Sequence, residues 1–163
     1  MTDTVADGCD FANQFTLWLK YCFRWGNIVP LSKLQYFITH LSSPSISSTQ
    51  LAELAVKGML EKKAHNIAVL DLREVKNAIA DYFIICSGNS DTQVDAITDS
   101  VEEEVEKSCG QHVWHKEGFQ NKEWILLDYL DVVCHIFQKE KRAFYDLEEF
   151  WGDAKIQYIA ISQ

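Results

Sequence analysis

Asp128 and Asp131 are the side chains in this sequence that come nearest to a catalytic pair. Two carboxylates on one strand face could hold metal ions a few ångströms apart and support nucleotidyl transfer. Here they are three positions apart and bracket a short polar break, DYLD, between the apolar runs WILL and VVCHIF. That placement makes them loop-closing residues facing solvent, and no basic triphosphate clamp accompanies them. His112, His115 and His135 raise a metal site, but residues 112 and 115 point to opposite faces of an extended strand. No thiolate pair completes a tetrahedral set. Cys86, Cys109 and Cys134 sit in apolar contexts, where a thiol has a raised pKa and is inert. The turn SGNS at 87–90 precedes a helix start, which is an anion-binding geometry. Its single Gly88 is not a phosphate loop, GxxxxGK[ST] is absent, and Asp91 would repel a phosphate. No residue set calls for a metal or a cofactor, and a binding module is favoured over an enzyme.

The stretch that carries the two aspartates is organised as a β-hairpin over residues 124–137. With Tyr129–Leu130 as the loop, Asp128 opposes Asp131, Leu127 opposes Val132, Leu126 opposes Val133, Ile125 opposes Cys134 and Trp124 opposes His135. Opposed residues share a face and side chains alternate along a strand. Ile125, Leu127, Val132, Cys134 and Ile136 therefore form one wholly apolar face, expected to be core. Trp124, Leu126, Asp128, Asp131, Val133 and His135 form the other, a mixture suited to a binding surface or to the wet face of a sheet.

Around the hairpin the pattern is helix over 49–63, strands over 66–72 and 81–87, helix from the capping box Ser90-Asp91-Thr92-Gln93 to Gly110, and a short strand over 112–114. A loop over 117–122, the hairpin and a last helix over 143–151 complete it. The sum is an α/β domain with a single mixed sheet and helices packed on it. The run Glu102, Glu103, Glu104 and Glu106 reads as a solvated helix face.

The 163 residues suffice for one ordinary domain, and 47% hydrophobic residues exclude a disordered chain. Five cysteines without a C-x-x-C pattern point to buried thiols in a reducing compartment, the cytoplasm. The formal net charge is −9. Residues 1–50 balance Lys20, Arg24 and Lys33 against Asp3, Asp7 and Asp10, so all the excess lies in 51–163. Such a domain is repelled by phosphate backbones and lacks the basic stripe of a nucleic-acid binder. A basic protein suits it better as a partner.

Residues 1–47 read as an atypical extension outside the domain, residues 48–153 as the domain itself, and residues 154–163 as a C-terminal tail. The extension crowds aromatics over 11–23 but is interrupted by Arg24 and Pro30 before the roughly 20 apolar residues of a membrane span. Three aspartates precede its first basic residue, unlike a signal or transit peptide, and residues 42–48 read as a linker. Three readings stay open for it: an upstream extension of the frame, a helical appendage, and a membrane-surface or partner-binding element. The first predicts a product beginning near the linker at a non-AUG codon, since Met59 lies inside the first helix.

The motifs DYFIICSGNS, QVDAI, the EG of the following loop, EWILLDYLDVVCHIF and RAFYDLEEFW, in that order, resemble the ribosomal silencing factor (Iojap) family from about residue 49 to 151. The resemblance implies a nucleotidyltransferase-like fold without the catalytic residues. It also implies docking on the large ribosomal subunit, at the ribosomal protein numbered fourteen, which blocks joining of the small subunit and lowers translation when nutrients are scarce. A homodimer is implied as well. Carried over by position, the docking residues are Trp124, Leu126, Asp128, Tyr129, Asp131 and His135, with Glu117, Gly118, Asp81 and Tyr82 as weaker additions. An active nucleotidyltransferase and a pure large-subunit assembly factor are the alternatives. One position departs from the family's habit: Leu130 stands where the turn usually has Gly. A tight hairpin loop needs positive φ, which Leu resists.

Overall fold

The computed structural model describes residues 46–160. In chain order they form helix α1 (Ser48–Glu61), strands β1 (His65–Asp71) and β2 (Tyr82–Gly88), helix α2 (Asp91–Cys109), strands β3 (His115–Glu117), β4 (Trp124–Asp128) and β5 (Val132–Gln138), helices α3 (Lys139–Tyr145) and α4 (Leu147–Phe150), and strand β6 (Lys155–Tyr158). The readings offered for residues 1–45 lie outside the described residues.

The strands make one six-stranded sheet in the order β3-β4-β5-β2-β1-β6. Only the central β2–β5 pair is parallel; the other pairs are antiparallel, so the sheet is mixed, as the sequence predicts. Every residue of β2 is buried, which fits its unbroken apolar run. Helices α1 and α2 cover one face through Leu51, Ala55, Met59, Val94, Ile97, Val101 and Val105, packed on Ile84, Ile125, Leu127, Cys134 and Ile136. On the other face a second core gathers Leu70, Leu72, Phe83, Ile85, Val133, Phe137 and Leu147.

Both long helices begin where a serine can cap them. The complete capping box is at α1: the Ser47 hydroxyl accepts from the Gln50 backbone N–H at 3.2 Å, and the Gln50 side chain accepts from the Ser47 N–H at 3.1 Å. At α2 the box is only half formed. Ser90 accepts from the Gln93 N–H, but the Gln93 carbonyl accepts from the Asn89 N–H at 2.8 Å and its amide donates to the Lys62 and Lys63 carbonyls. The helix ends at Gly110 in the left-handed conformation (φ 69°). The two helices meet at Gly58, where a Cβ would stand 2.8 Å from the Ser100 carbonyl oxygen and the Val101 Cα. The Ser100 hydroxyl also donates to the Gly58 carbonyl at 2.9 Å.

Four expectations need correction. The hairpin register is displaced by two residues: Trp124 faces Phe137, Leu126 faces His135, and Asp128 faces Val133. The cause is a turn that sits one residue further along, at Leu130–Asp131: the Tyr129 N–H donates to the Val132 carbonyl at 2.9 Å, and the Asp128 carboxylate accepts from the Leu130 N–H at 2.7 Å. Because the displacement is even, each side chain keeps its predicted face. The short strand lies at 115–117, not 112–114. The last helix is two short ones, α3 and α4, separated by Asp146 with φ 39° and tied together by the Arg142–Glu148 ion pair. Residues 155–158, expected in a tail, form β6 on the edge of β1. The four-residue strand has too short an alternation to be read, but it satisfies the backbone groups of β1.

Leu130 has φ 77°, the conformation its position demands and its Cβ resists. We expect Leu130→Gly to raise stability by about 0.5–1 kcal/mol, the relief of left-handed strain less the added freedom of the unfolded chain. Gly58→Ala should lower stability by about 2 kcal/mol despite its better helix propensity, because helix backbone must move to admit the methyl group. Urea unfolding of the two variants checks both signs.

Candidate functional site

The margin of the sheet formed by β3 and β4 brings together several of the carried-over residues. The register sets Glu117 opposite Leu126 and His115 opposite Asp128. Trp124, Leu126, Asp128, His115 and Glu117 therefore share one face. All are half-buried or exposed, which makes a patch of apolar and acidic groups. The His115 ring Nε2 lies 3.0 Å from the Glu117 carboxylate. His115 is the residue of this patch that sequence reasoning weighed only as a metal ligand; the pairing of β3 with β4 places it. Gly118 fixes the loop that leads away from Glu117. Its φ is 89°, and a Cβ there would come within 1.9 Å of the Trp124 carbonyl oxygen, so only glycine allows this approach.

Trp124 is half-buried and held by rings. It stacks on Phe137 at 4.8 Å between centroids (24° between planes) and lies 4.8 Å from Tyr145. Its indole N–H donates to His135 Nδ1 at 3.3 Å. His135 itself is fully buried and meets Phe83 in a T-shaped contact at 4.9 Å. Burial pushes its imidazole down to about 3, and among the described residues Nε2 has no hydrogen-bond partner. Strand alternation puts His135 on the second face of the sheet, as the sequence predicts, but that face is roofed there by the last helices, so the ring does not reach the surface.

The remaining residues gather elsewhere. Tyr129 and Tyr82, each 6% exposed, belong to the first core and not to the patch. Burial pushes the Tyr129 hydroxyl far up, and among the described residues its oxygen lacks a partner. The Tyr82 hydroxyl lies 3.1 Å from that of Thr49, and the Arg73 guanidinium lies over the Tyr82 ring, 5.0 Å from its centroid. Asp81 and Asp131 line a groove of about 240 Å³ with Leu72, Arg73, Val75 and residues 77–80. The Asp131 carboxyl is raised by burial and by the charge of Asp81, and its backbone carbonyl accepts from the Asp81 and Tyr82 N–H groups. This groove is at the turn end of the hairpin, about 13 Å along β4 from Trp124 at an ordinary strand rise. Asp128 closes its own turn, which is the structural role expected for it rather than a place in a metal pair.

A profile of the family described as "Ribosomal silencing factor during starvation" matches residues 45–163. The chain belongs to the ribosomal silencing factor family. It is 40% identical to the ribosomal silencing factor of Halalkalibacterium halodurans over 109 residues, 67% of this chain and 92% of that protein. It is 39% identical to the chloroplastic Iojap protein of Zea mays over 98 residues, 60% of this chain and 42% of the longer plant protein. The crystal structure of a Chromobacterium violaceum protein superposes with a TM-score of 0.62 at 28% identity, covering 71% of this chain and 95% of that one. The solved structure shares the fold, and the Halalkalibacterium halodurans relative is named as a silencing factor, not as an enzyme. Among the described residues of this family member, no helix is long and apolar enough to cross a membrane.

The buried imidazole has a consequence for stability. An unfolded histidine binds a proton near 6.5, before the folded one does near 3, so stability from this residue is complete above about pH 6.5 and declines in acid. The loss between pH 7 and pH 5 should be about 2 kcal/mol, and His135→Leu should remove that component. Urea unfolding of both proteins at the two pH values measures it; equal acid sensitivity would mean that the imidazole is not held neutral.

Proposed function

We propose that this protein docks on the large ribosomal subunit, on the basic ribosomal protein numbered fourteen at the face where the small subunit joins, and so blocks joining and lowers translation when nutrients are scarce. Membership of the family supports a ribosomal partner and a silencing role. The observation that carries the docking reading is the β3–β4 patch, where a ring-held tryptophan lies beside Leu126, with Glu117 and Asp128 on the same face. A tryptophan that keeps part of its surface exposed while its neighbours fix it is a typical energetic anchor. The carboxylates and the excess negative charge favour a basic protein over bare ribosomal RNA.

Blocking subunit joining requires only occupancy and bulk. A domain of this size can offer an interface of about 800 Å² per partner. A homodimer, where it forms, must leave the β3–β4 patch open for this function. The site of action is then the compartment that holds those ribosomes, the cytoplasm on this reading.

The protein should co-sediment with isolated large subunits at moderate salt and reduce the yield of joined ribosomes on adding small subunits. Glu117→Lys, at an exposed position, should weaken co-sedimentation about tenfold while leaving unfolding unchanged. Absence of large-subunit affinity in the unaltered protein would refute the proposal.

A further inference from the structure

Between Val132 and Phe137, β5 is apolar except at one position, His135. A fully buried imidazole there loses its hydration and leaves Nε2 without a partner, a cost that a leucine or valine would avoid. A residue that breaks the local rule in this way points to a role outside packing. The hydrogen bond that its ring makes shows where to look. Nδ1 accepts from the Trp124 indole at 3.3 Å, which assigns the imidazole proton to Nε2. The bond runs diagonally between the strands, because Trp124 pairs with Phe137 and His135 with Leu126.

Trp124 also makes ring contacts, with Phe137, with Tyr145 and, tilted at 5.8 Å between centroids, with His135 itself. Stacking favours an offset plane but leaves open a half-turn about the Cβ–Cγ bond, which exchanges the two edges of the indole. A hydrogen bond from the indole nitrogen does not, since it names the edge that must face inward. We infer that His135 is a positioning residue for docking: it does not touch the partner, but holds the Trp124 indole with its N–H edge toward the core, so that the opposite edge is presented in a fixed orientation. The inference rests on the docking reading above. It makes the anchor ready before contact, so that the ordering cost of a large side chain is not met on binding.

A mutant cycle with isolated large subunits and the full chain tests it. His135→Leu removes the acceptor and should weaken co-sedimentation about tenfold and speed hydrogen exchange of the Trp124 indole N–H, followed by NMR. His135→Asn places an amide oxygen near the position of Nδ1 and should recover docking to within about threefold of the unaltered protein. In a Trp124→Phe background, which has no indole donor, His135→Leu should cause no further loss. Unfolding is measured for each variant. Equal docking by the His135→Leu and unaltered proteins overturns the inference, as does a loss in His135→Asn as large as in His135→Leu. An undiminished effect of His135→Leu without the indole donor overturns it too. If His135→Leu does not fold, folded His135→Asn still decides: tenfold weaker docking by it overturns the inference. Failure of the unaltered protein to co-sediment is a different result, and removes the docking reading together with the inference built on it.

Discussion

The parallel pairing of β2 with β5 is the constraint from which the rest of the molecule follows. Seven consecutive residue pairs, from Tyr82 with Val132 to Gly88 with Gln138, join two strands that are buried along nearly their whole length. Parallel strands of this kind need cover on both faces. Helices α1 and α2 supply one cover. The segment around Leu72 and Ala80, with Leu147 and Trp151 near the C-terminus, supplies the other. Once both faces are roofed at the centre, the sheet can show a partner only its margins. That is why Trp124, Leu126 and Glu117 at the β3–β4 side are available while His135, one strand further in, is not.

Two unusual backbones beside the hairpin differ in what dictates them. Gly118 and Leu130 both have positive φ, and both serve the hairpin. At Gly118 the Trp124 carbonyl leaves no room for a Cβ, so the residue is dictated by contact. At Leu130 the demand is for torsion alone. The Asp128 carboxylate meets the Leu130 N–H, and the Tyr129 N–H meets the Val132 carbonyl, so hydrogen bonds hold the turn against the strain of about 1–2 kcal/mol that a left-handed leucine carries. The loop can thus accept a leucine where glycine would be unstrained, at the expense of stability and not of shape.

Much of this was legible in the sequence because long periodic segments decide their own type. The stripe Val94, Ile97, Val101 and Val105 ends at a glycine, and α2 is found there. The run at 82–86 has no polar interruption, and β2 is buried throughout. The face of each hairpin residue was legible too, since alternation survives an even displacement of register. The register itself was not, because it depends on the Asp128 hydrogen bond, and sequence does not show which turn a carboxylate will close. Nor was the burial of His135. Phe144, Leu147 and Trp151 announce a helix with an apolar stripe, but not that the cover there leaves His135 fully buried while Phe144 remains exposed. The half-formed capping box at α2 has the same origin: Gln93 has more distant partners in the Lys62 and Lys63 carbonyls, which only the packing of the preceding turn supplies.

The acidic face of α2 shows how one charge distribution can serve both fold and proposed docking. Three of its carboxylates bind lysines from three different segments: Glu104 with Lys57 of α1 at 2.6 Å, Glu102 with Lys116 of β3 at 3.1 Å, and Asp95 with Lys122 of the loop before β4 at 2.7 Å. The Lys57 ammonium and the Ser108 hydroxyl hold the Glu104 carboxyl below its ordinary range, and Asp95 raises Lys122. Pairs whose lysine stays partly exposed, as in all three, add little stability one by one, although Glu104 itself is buried. Their geometry is more telling than their strength, because the second and third tie down β3 and the loop containing Gly118, the two segments that place Glu117 beside Leu126. The glutamate run is therefore in part a seam and not only a solvated face. What these lysines leave unneutralised is still a large excess of negative charge. Long-range charge of that sign raises the rate of encounter with a basic surface, whereas the lifetime of a complex is set by the few buried contacts at its centre. On the proposed reading the two tasks are divided in space: the charge of the whole domain brings it to its partner, and the small patch around Trp124 decides how long it stays.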